Sequence, residues 1–286
     1  MAALRDIKRR IRSVENTRQI TKAMEMVSAA KLRRAQGRVE KARPYATKMQ
    51  AILDNLSAAS GAVAHPFFEE REVKHTTLVL VTSDRGLCGS FNNNLVRRAQ
   101  VFLGERDPQT VELACVGKKG FDFFKKRQHR IVYSLNDFGG NLDLTKVRRL
   151  SNELVNRFLS RATDEVYFLY TSFLSVTRYR TTLEKFLNIR QEEKDAVSGT
   201  LDYIFEPDPR AIYDDLMPRY AMTRIQMALA ESFASEHAAR MVAMGGATRN
   251  ADEMIDHLVL QRNKARQSAI TKELLDIVGG AEVLYA

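Results

Sequence analysis

Apolar residues at the start of the chain recur in steps that are almost all of three or four. The series runs Leu4, Ile7, Ile11, Val14, Ile20, Met24 and Val27, then Leu32, Ala35, Val39, Ala42, Ala46, Met49, Leu53 and Leu56. That spacing places one stripe on a helix from Ala2 to about Ser57. At the other end, no proline falls between Tyr220 and Leu275, alanines recur from Ala221 to Ala251, and long helix-forming side chains fill the gaps. The pattern predicts a second helix over residues 211–282, on the order of 105 Å long at the standard rise of about 1.5 Å per residue. Neither helix suits an ordinary globular core. Two such helices at opposite ends of one chain can bury their stripes against each other as an antiparallel coiled coil. The segments 1–60 and 207–286 are therefore expected to form a rod, with a bend near residues 40–44 where Gly37 and Pro44 weaken the first helix.

The period changes between them. The polar run Ser57–Gly61, His65-Pro66 and the charged stretch 69–74 end the first helix. Strands are expected at Leu78–Thr82, Val111–Val116, Ile131-Val132 and Val166–Tyr170, with an edge strand within Thr177–Ile189 and a last short one at Leu201–Phe205. Helices are expected at Asn93–Leu103, Lys118–Lys126 and Leu144–Leu159. Strand and helix alternate, so residues 75–206 read as a central Rossmann-like α/β domain with a mostly parallel sheet. Pro207 and Pro209 open the last helix, where proline is tolerated.

Charge sharpens this picture. The formal net charge is +10, and residues 1–60 carry 14 Lys and Arg against 5 Asp and Glu, whereas residues 208–286 carry 9 against 11. The first helix is the basic element. A solvated face, a nucleic-acid surface and a partner with acidic loops all fit a basic helix, but no reader motif and few aromatic residues accompany it. No apolar run approaches the eighteen or so residues that span a bilayer. The N-terminus lacks the apolar stretch of a secretory signal, and the helical pattern continues through Asp6 and Glu15, as in mature sequence. The two cysteines, Cys88 and Cys115, form no CxxC and suit a reducing compartment.

Candidate chemistry is sparse. The turn from Ser83 to Asn92, SDRGLCGSFN, joins a strand to a helix N-terminus, where a phosphate can bind. It matches neither GxGxxG nor a Walker A sequence, so a structural turn is the stronger reading, and Gly117-Lys118-Lys119-Gly120 is weaker still. Ser90 lies in no GxSxG elbow, and the five histidines show no HExxH arrangement. No catalytic residue, cofactor or metal is expected. The methionines of both helices sit at packing spacings, while Arg266, Gln267, Ile270 and Thr271 fall within about one turn as a mixed hydrogen-bonding patch. The apolar end, Ile277, Val278, Val283, Leu284 and Tyr285, asks for an apolar covering.

Four blocks together carry a resemblance. They are IRSVENTRQITKAMEMVSAAKLRRAQ (Ile11–Gln36), SDRGLCGSFN (Ser83–Asn92), YIFEPDP (Tyr203–Pro209), and SEHAARMVAM with NKARQSAITKELLDIVGGAE (Ser235–Met244 and Asn263–Glu282). Over its whole length the chain resembles the γ-subunit family of F-type ATP synthases, the central-stalk rotor. The resemblance implies one copy per complex, a coiled coil inside the threefold α/β ring of F1, and a foot on the membrane c-ring beside the ε subunit. It implies no bound nucleotide, no nucleic acid and a peripheral place on the cytoplasmic face of a bacterial membrane. By motif, Arg266, Gln267 and Thr271 correspond to a patch that catches the catalytic β subunits. Lys22, Lys31, Arg33 and Arg34 lie in the region facing their acidic loops, Met24 belongs to the coupling region, and Tyr203, Phe205 and Glu206 lie in the foot. The chain departs in two ways: Gly245-Gly246 interrupts the long helix, and no cysteine-bearing insertion of the redox-regulated type lies between Ile189 and Pro207.

Two other classes remain in view. A nucleotide-binding α/β enzyme with coiled-coil extensions would bind nucleotide as an isolated chain, and a basic coiled-coil nucleic-acid protein would bind DNA in a salt-sensitive way.

Overall fold

The computed structural model describes residues 2–60, 65–69, 71–189 and 208–285, which fall into two compact units, 29–240 and the pair of segments 1–28 and 241–286. Two helices run through both units, α1 (Ala2–Ser60) and α5 (Pro209–Tyr285). Helix α1 continues unbroken through Gly37 and Pro44.

Unit 29–240 is built on a five-stranded sheet. Its strands are β1 (Thr76–Val81), β2 (Val111–Val116), β3 (Ile131–Leu135), β4 (Glu165–Phe173) and β5 (Tyr179–Leu187), in the order β3-β2-β1-β4-β5. All neighbours are parallel except β4 and β5, as expected for an edge strand reached by a short turn. Three helices, α2 (Phe91–Gly104), α3 (Lys118–Lys125) and α4 (Leu144–Leu159), connect the parallel strands. Strand β3 reaches three residues past the expected Ile131-Val132, because pairing with β2 draws in Tyr133, Ser134 and Leu135. The expected strand Leu201–Phe205 lies outside the described residues.

Side chains alternate across β1. Val79 and Val81 join the cluster formed by α4 (Val147, Leu150, Leu154, Phe158), by Met49, Leu53 and Leu56 of α1 and by Tyr213 to Phe233 of α5. Leu78 and Leu80 pack instead with Phe91, Leu95 and Phe102 of α2 and Phe124 of α3. Both faces are covered, so every residue of β1 and β2 is buried. Within this unit α1 and α5 are antiparallel neighbours, and the Tyr220 hydroxyl donates to Gln50 Oε1 at 2.5 Å. Leu32, Ala35, Val39, Met49, Leu53 and Leu56 are buried, as their stripe predicts.

The other unit consists of the first part of α1 and the last part of α5. Thr248 Oγ1 lies 2.9 Å from Thr21 Oγ1, and Arg18 Nη1 donates to Asp252 Oδ1 at 3.1 Å, so these segments are also antiparallel. The seam differs from expectation in the middle of this stretch. Ile20 and Val27 are 61% and 57% exposed, whereas Thr21 and Ser28 are buried. The physical reason is the heptad. The alternation of three and four that begins Leu4, Ile7, Ile11, Val14 continues through Arg18, Thr21, Glu25 and Ser28, all buried or half-buried, before resuming on the apolar residues from Leu32. The six-residue step from Val14 to Ile20 leaves that register. On α5 the matching positions are Met244, Thr248 and Ala251, all buried, and a Cβ on buried Gly245 would stand 3.3 Å from Glu25 Oε1. Of the two glycines, the first is thus a site of close packing.

One glycine is required by geometry where β2 turns into α3. Gly117 has φ +88°, its N–H donates to Leu135 O at 2.9 Å, and a Cβ there would stand 2.1 Å from the Thr82 carbonyl oxygen. Gly117→Ala is expected to lower stability by roughly 2 kcal/mol or more through strain and overpacking. Gly37→Ala, where nothing stands within 4 Å of the new Cβ, should instead raise it by up to about 1 kcal/mol. Urea unfolding of the two purified variants beside the parent checks both signs.

Candidate functional site

In an open parallel sheet, ligands bind beyond the carboxyl ends of the strands where the strand order reverses. Here the order reverses between β1 and β4. That crevice holds the chain's own helix. From Ala228 to Arg240 every residue of α5 is buried except the half-buried Glu231, which accepts from Ser172 Oγ at 2.7 Å beyond the middle of β4. Ser235 Oγ donates to the Thr171 carbonyl at 3.3 Å. One turn further, Arg240 donates through Nε to Gly86 O at 3.2 Å and through Nη2 to Arg85 O at 3.1 Å, which fixes the turn after β1. Alanines at 228, 230, 234, 238 and 239 let the backbone approach the sheet this closely.

The SDRG turn works from the inside as well. Asp84 accepts from the backbone N–H groups of Lys118 at 3.2 Å, Asp137 at 3.2 Å and Gly139 at 2.9 Å. Its carboxylate therefore takes the first N–H of α3 and two N–H groups of the loop after β3, pinning both segments to the turn after β1. Ser83 and Cys88 are tied to Asn92 of α2, and burial raises the Cys88 thiol pKa. Cys115 is buried in β2 and its pKa is pushed up to about 12, so neither sulfur has the environment of a reactive thiolate. The glycine-bearing turn is a structural dock for α5.

Glu236, His237 and Arg240 complete the dock, and sequence reasoning did not single them out. Glu236 Oε1 accepts from Arg240 Nη2 at 2.8 Å with both side chains nearly enclosed, and burial raises the Glu236 pKa against the opposing pull of Arg240. His237 Nε2 donates to Gly140 O at 2.9 Å, while its Nδ1 is buried without a partner among the described residues. Gly140 has φ +72°, and a Cβ there would stand 2.5 Å from the imidazole. The available signal was the i, i+4 acid-base pair inside an alanine-rich run, which periodicity alone assigns to packing.

The residues named from the resemblance fall in both units. Met24 is half-buried beside the seam, and Lys22 pairs with Glu25 Oε2 at 3.2 Å. Arg266 and Gln267 are exposed on α5, and Thr271 Oγ1 donates to the Gln267 carbonyl at 3.0 Å within the helix. Since Thr21 faces Thr248, Arg266 lies 18 residues beyond the level of Thr21, about 27 Å along the helix. The two groups are separate patches. In the other unit, Arg33 and Arg34 are exposed, and half-buried Lys31 donates to Gly139 O at 3.4 Å, beside the dock. Tyr203, Phe205 and Glu206 lie outside the described residues. Large apolar side chains stand in solvent around the first group (Ile20, Met26, Val27) and beyond the second (Leu274, Leu275, Ile277, Val278). No described helix is long and apolar enough to cross a membrane.

The dock makes stability depend on pH. Burial lowers the His237 pKa to about 4 from an ordinary value of 6.5, with Arg240 and Lys31 adding to the shift. Between those values the unfolded chain binds the proton more readily, so this residue's contribution is intact above pH 6.5 and is lost as pH falls towards 4, by up to about 3 kcal/mol. His237→Gln keeps a donor for Gly140 O and removes the titration. The expected result is a shallower fall in unfolding free energy from pH 6.5 to 4.5 in the variant than in the parent, measured by urea titration at each pH; Glu236 is common to both and cancels.

Comparison with known proteins agrees with this architecture along the whole chain. A family model described as ATP synthase matches residues 3–284. The ATP synthase gamma chain of Moorella thermoacetica is 47% identical over 286 residues, 99% of this chain and 100% of its own length. That of Protochlamydia amoebophila is 43% identical over 284 residues, again 99% and 100%. Among solved structures, a chain of the Tetrahymena thermophila mitochondrial ATP synthase central stalk and c-ring aligns with TM-score 0.63 at 26% identity, covering 80% of this chain and 99% of that one. A chain of the Euglena gracilis mitochondrial ATP synthase, in its OSCP/F1/c-ring part, shares the fold with TM-score 0.72 at 21% identity over 100% and 95%. With a filled ligand crevice, two long terminal helices and relatives of this similarity from end to end, the chain belongs to the ATP synthase γ-chain family.

Proposed function

We infer that this chain is the central rotor shaft of the F1 part of an F-type ATP synthase, coupling rotation of a membrane c-ring to sequential conformational changes in the catalytic β subunits. The observation that carries the reading is full-length similarity to ATP synthase gamma chains at 40–47% identity. The chain supplies no catalytic group of its own in this reading; the chemistry belongs to the ring. A single chain without threefold symmetry, placed on the axis of a threefold ring, presents a different surface to each of the three catalytic subunits. Each rotational position then favours a different conformation at each site, which is the differential contact that a coupling free energy requires.

The surfaces support assigned contacts. The exposed apolar residues of α5 from Leu274 to Val278 suit an apolar bearing in the ring, since isolated patches of this kind mark interaction sites. The cations Lys22, Lys31, Arg33 and Arg34 suit the acidic loops of the β subunits, with Met24 beside the seam in the coupling region. The foot, including Tyr203, Phe205 and Glu206, is assigned to the c-ring and the ε subunit. One copy per complex and a peripheral position on the cytoplasmic face of the bacterial membrane complete the proposal.

Arg266, Gln267 and Thr271 are assigned the catch on a catalytic subunit. Arg266 presents several fixed donors and Gln267 both donors and an acceptor, so together they can hold a loop in one rotational position and release it in the next. Replacing both Arg266 and Gln267 by alanine preserves the helix. If they grip a loop, losing hydrogen bonds that involve a charge costs about 1.5–3 kcal/mol at that step, or roughly a tenfold or greater loss of rate. Steady-state ATP hydrolysis and synthesis by the assembled double variant, with normal subunit content verified, is the measurement. Parental rates in both directions would reduce the pair to solvated helix surface.

A further inference from the structure

The two edges of the sheet are treated differently. The edge strand β5 carries Arg180, Glu184 and Lys185 within its length, the kind of charge that keeps a sheet edge from pairing with another chain. The opposite edge, β3, reads Ile131-Val132-Tyr133-Ser134-Leu135, with no charge and no proline. It pairs with β2 on one side, and at the two ends of that pairing the Arg130 carbonyl accepts from Leu113 N–H and the Leu135 carbonyl from Gly117 N–H, both at 2.9 Å. Backbone groups between them on the outer side have no strand to pair with among the described residues, and Ser134 is exposed. Beside the edge lies a groove of about 330 Å³ lined by Phe121, Lys125, His129, Ile131, Tyr133 and Ser134 among others, which offers half-buried apolar and aromatic surface.

The charge around this groove is predominantly positive, with Glu153 and Arg149 of α4 acting on Tyr133 in opposite senses. Lys125, Lys126 and Arg127 at the end of α3 are exposed, and Arg130 precedes the strand with its side chain 62% exposed. Arg127 stacks on the Phe123 ring at 3.6 Å and Lys125 Nζ lies 5.2 Å from the centre of the Phe121 ring, so both cations are held over aromatic faces rather than paired with acids. Glu112, the carboxylate that meets Arg130, is buried and shared with Arg157. Half-buried Asp122 is the one acid on α3. Guard cations would stand on the strand itself; these stand at its start and leave the edge open.

We propose that the outer edge of β3 is a docking site for an acidic, extended segment of a partner protein, which adds to the sheet as a sixth strand. Main-chain hydrogen bonds to the edge supply the affinity, alternate side chains enter the groove between Phe121 and Tyr133, and flanking carboxylates face Lys125, Lys126, Arg127 and Arg130. The proposal is independent of how the shaft couples to the ring.

The test uses the chain in its purified assembled complex and a fluorescein-labelled seven-residue peptide of alternating glutamate and valine. Saturable binding by fluorescence anisotropy is expected at low salt, with new hydrogen-exchange protection of amides in 131–135. Reversing Lys125, Lys126 and Arg127 to glutamate together should weaken binding by about tenfold or more, given several close charge pairs at the edge. Should that variant assemble poorly, Lys126→Glu alone, at an exposed position, should weaken it roughly twofold. A peptide of equal charge with proline at the central positions should fail to bind, since it lacks the N–H groups. Equal binding of the proline peptide, absence of protection in 131–135, or no binding at all would overturn the proposal. So would phosphatidylserine vesicles that bind through these same cations while the peptide does not, because that result makes the surface a lipid-headgroup contact.

Discussion

The passage of α5 across the carboxyl ends of β1 and β4 is the constraint on which the rest of the domain depends. A parallel sheet covered on both faces still has an open crevice at its switch point, and in most proteins of this architecture a ligand fills it. Here thirteen residues of α5, Ala228 to Arg240, fill it, held by Ser235 to the Thr171 carbonyl and by Arg240 to the Arg85 and Gly86 carbonyls. The glycine turn that looks like a phosphate loop is shaped to receive that arginine. Asp84 ties the turn to the start of α3 and to the loop after β3 by accepting from three of their N–H groups. An α/β domain built in this way is a grip on a helix.

The composition of the grip is a compromise between rigidity and desolvation. Glu236 and Arg240 are both nearly enclosed, and a buried ion pair of this type gains little net stability, because each charge loses its water. Its contribution is geometric: the pair within α5 holds the Arg240 guanidinium where it reaches the Arg85 and Gly86 carbonyls, and that reach specifies the register of α5 against the sheet. His237 contributes in the same sense. It remains neutral because the site cannot hydrate a cation, and it meets a backbone at Gly140 that has no room for a side chain.

Between the dock and the apolar ends of the coiled coil, the seam changes chemistry without changing period. Arg18, Thr21, Glu25 and Ser28 hold the heptad positions, and the contacts across to Thr248 and Asp252 are one hydroxyl pair and an exposed ion pair worth little each. The apolar residues that could have strengthened this stretch, Ile20, Met26 and Val27, face outward. Each would contribute about 1–2 kcal/mol if the part now exposed were covered. A stretch that withholds apolar surface from its own seam has that surface available for partners, at the level where the basic residues of α1 also lie.

Periodicity by itself determined the two long helices, their antiparallel pairing and the alternation that makes a mostly parallel sheet, because each is a local repeat of three to four or of two residues. The stripe from Leu32 to Leu56 was legible for that reason, and the motif blocks carried the family. Tertiary structure decided the rest. Whether Ile20 or Thr21 lies in the seam depends on the helix opposite, since both fit a helical period and only the partner's Thr248 fixes the register. That Glu236, His237 and Arg240 form a dock depends on loops some 100 to 150 residues away that meet α5 only when the sheet is complete. The openness of β3 follows from strand order, which no stretch of sequence encodes locally: β3 is an edge because no strand among the described residues pairs beyond it.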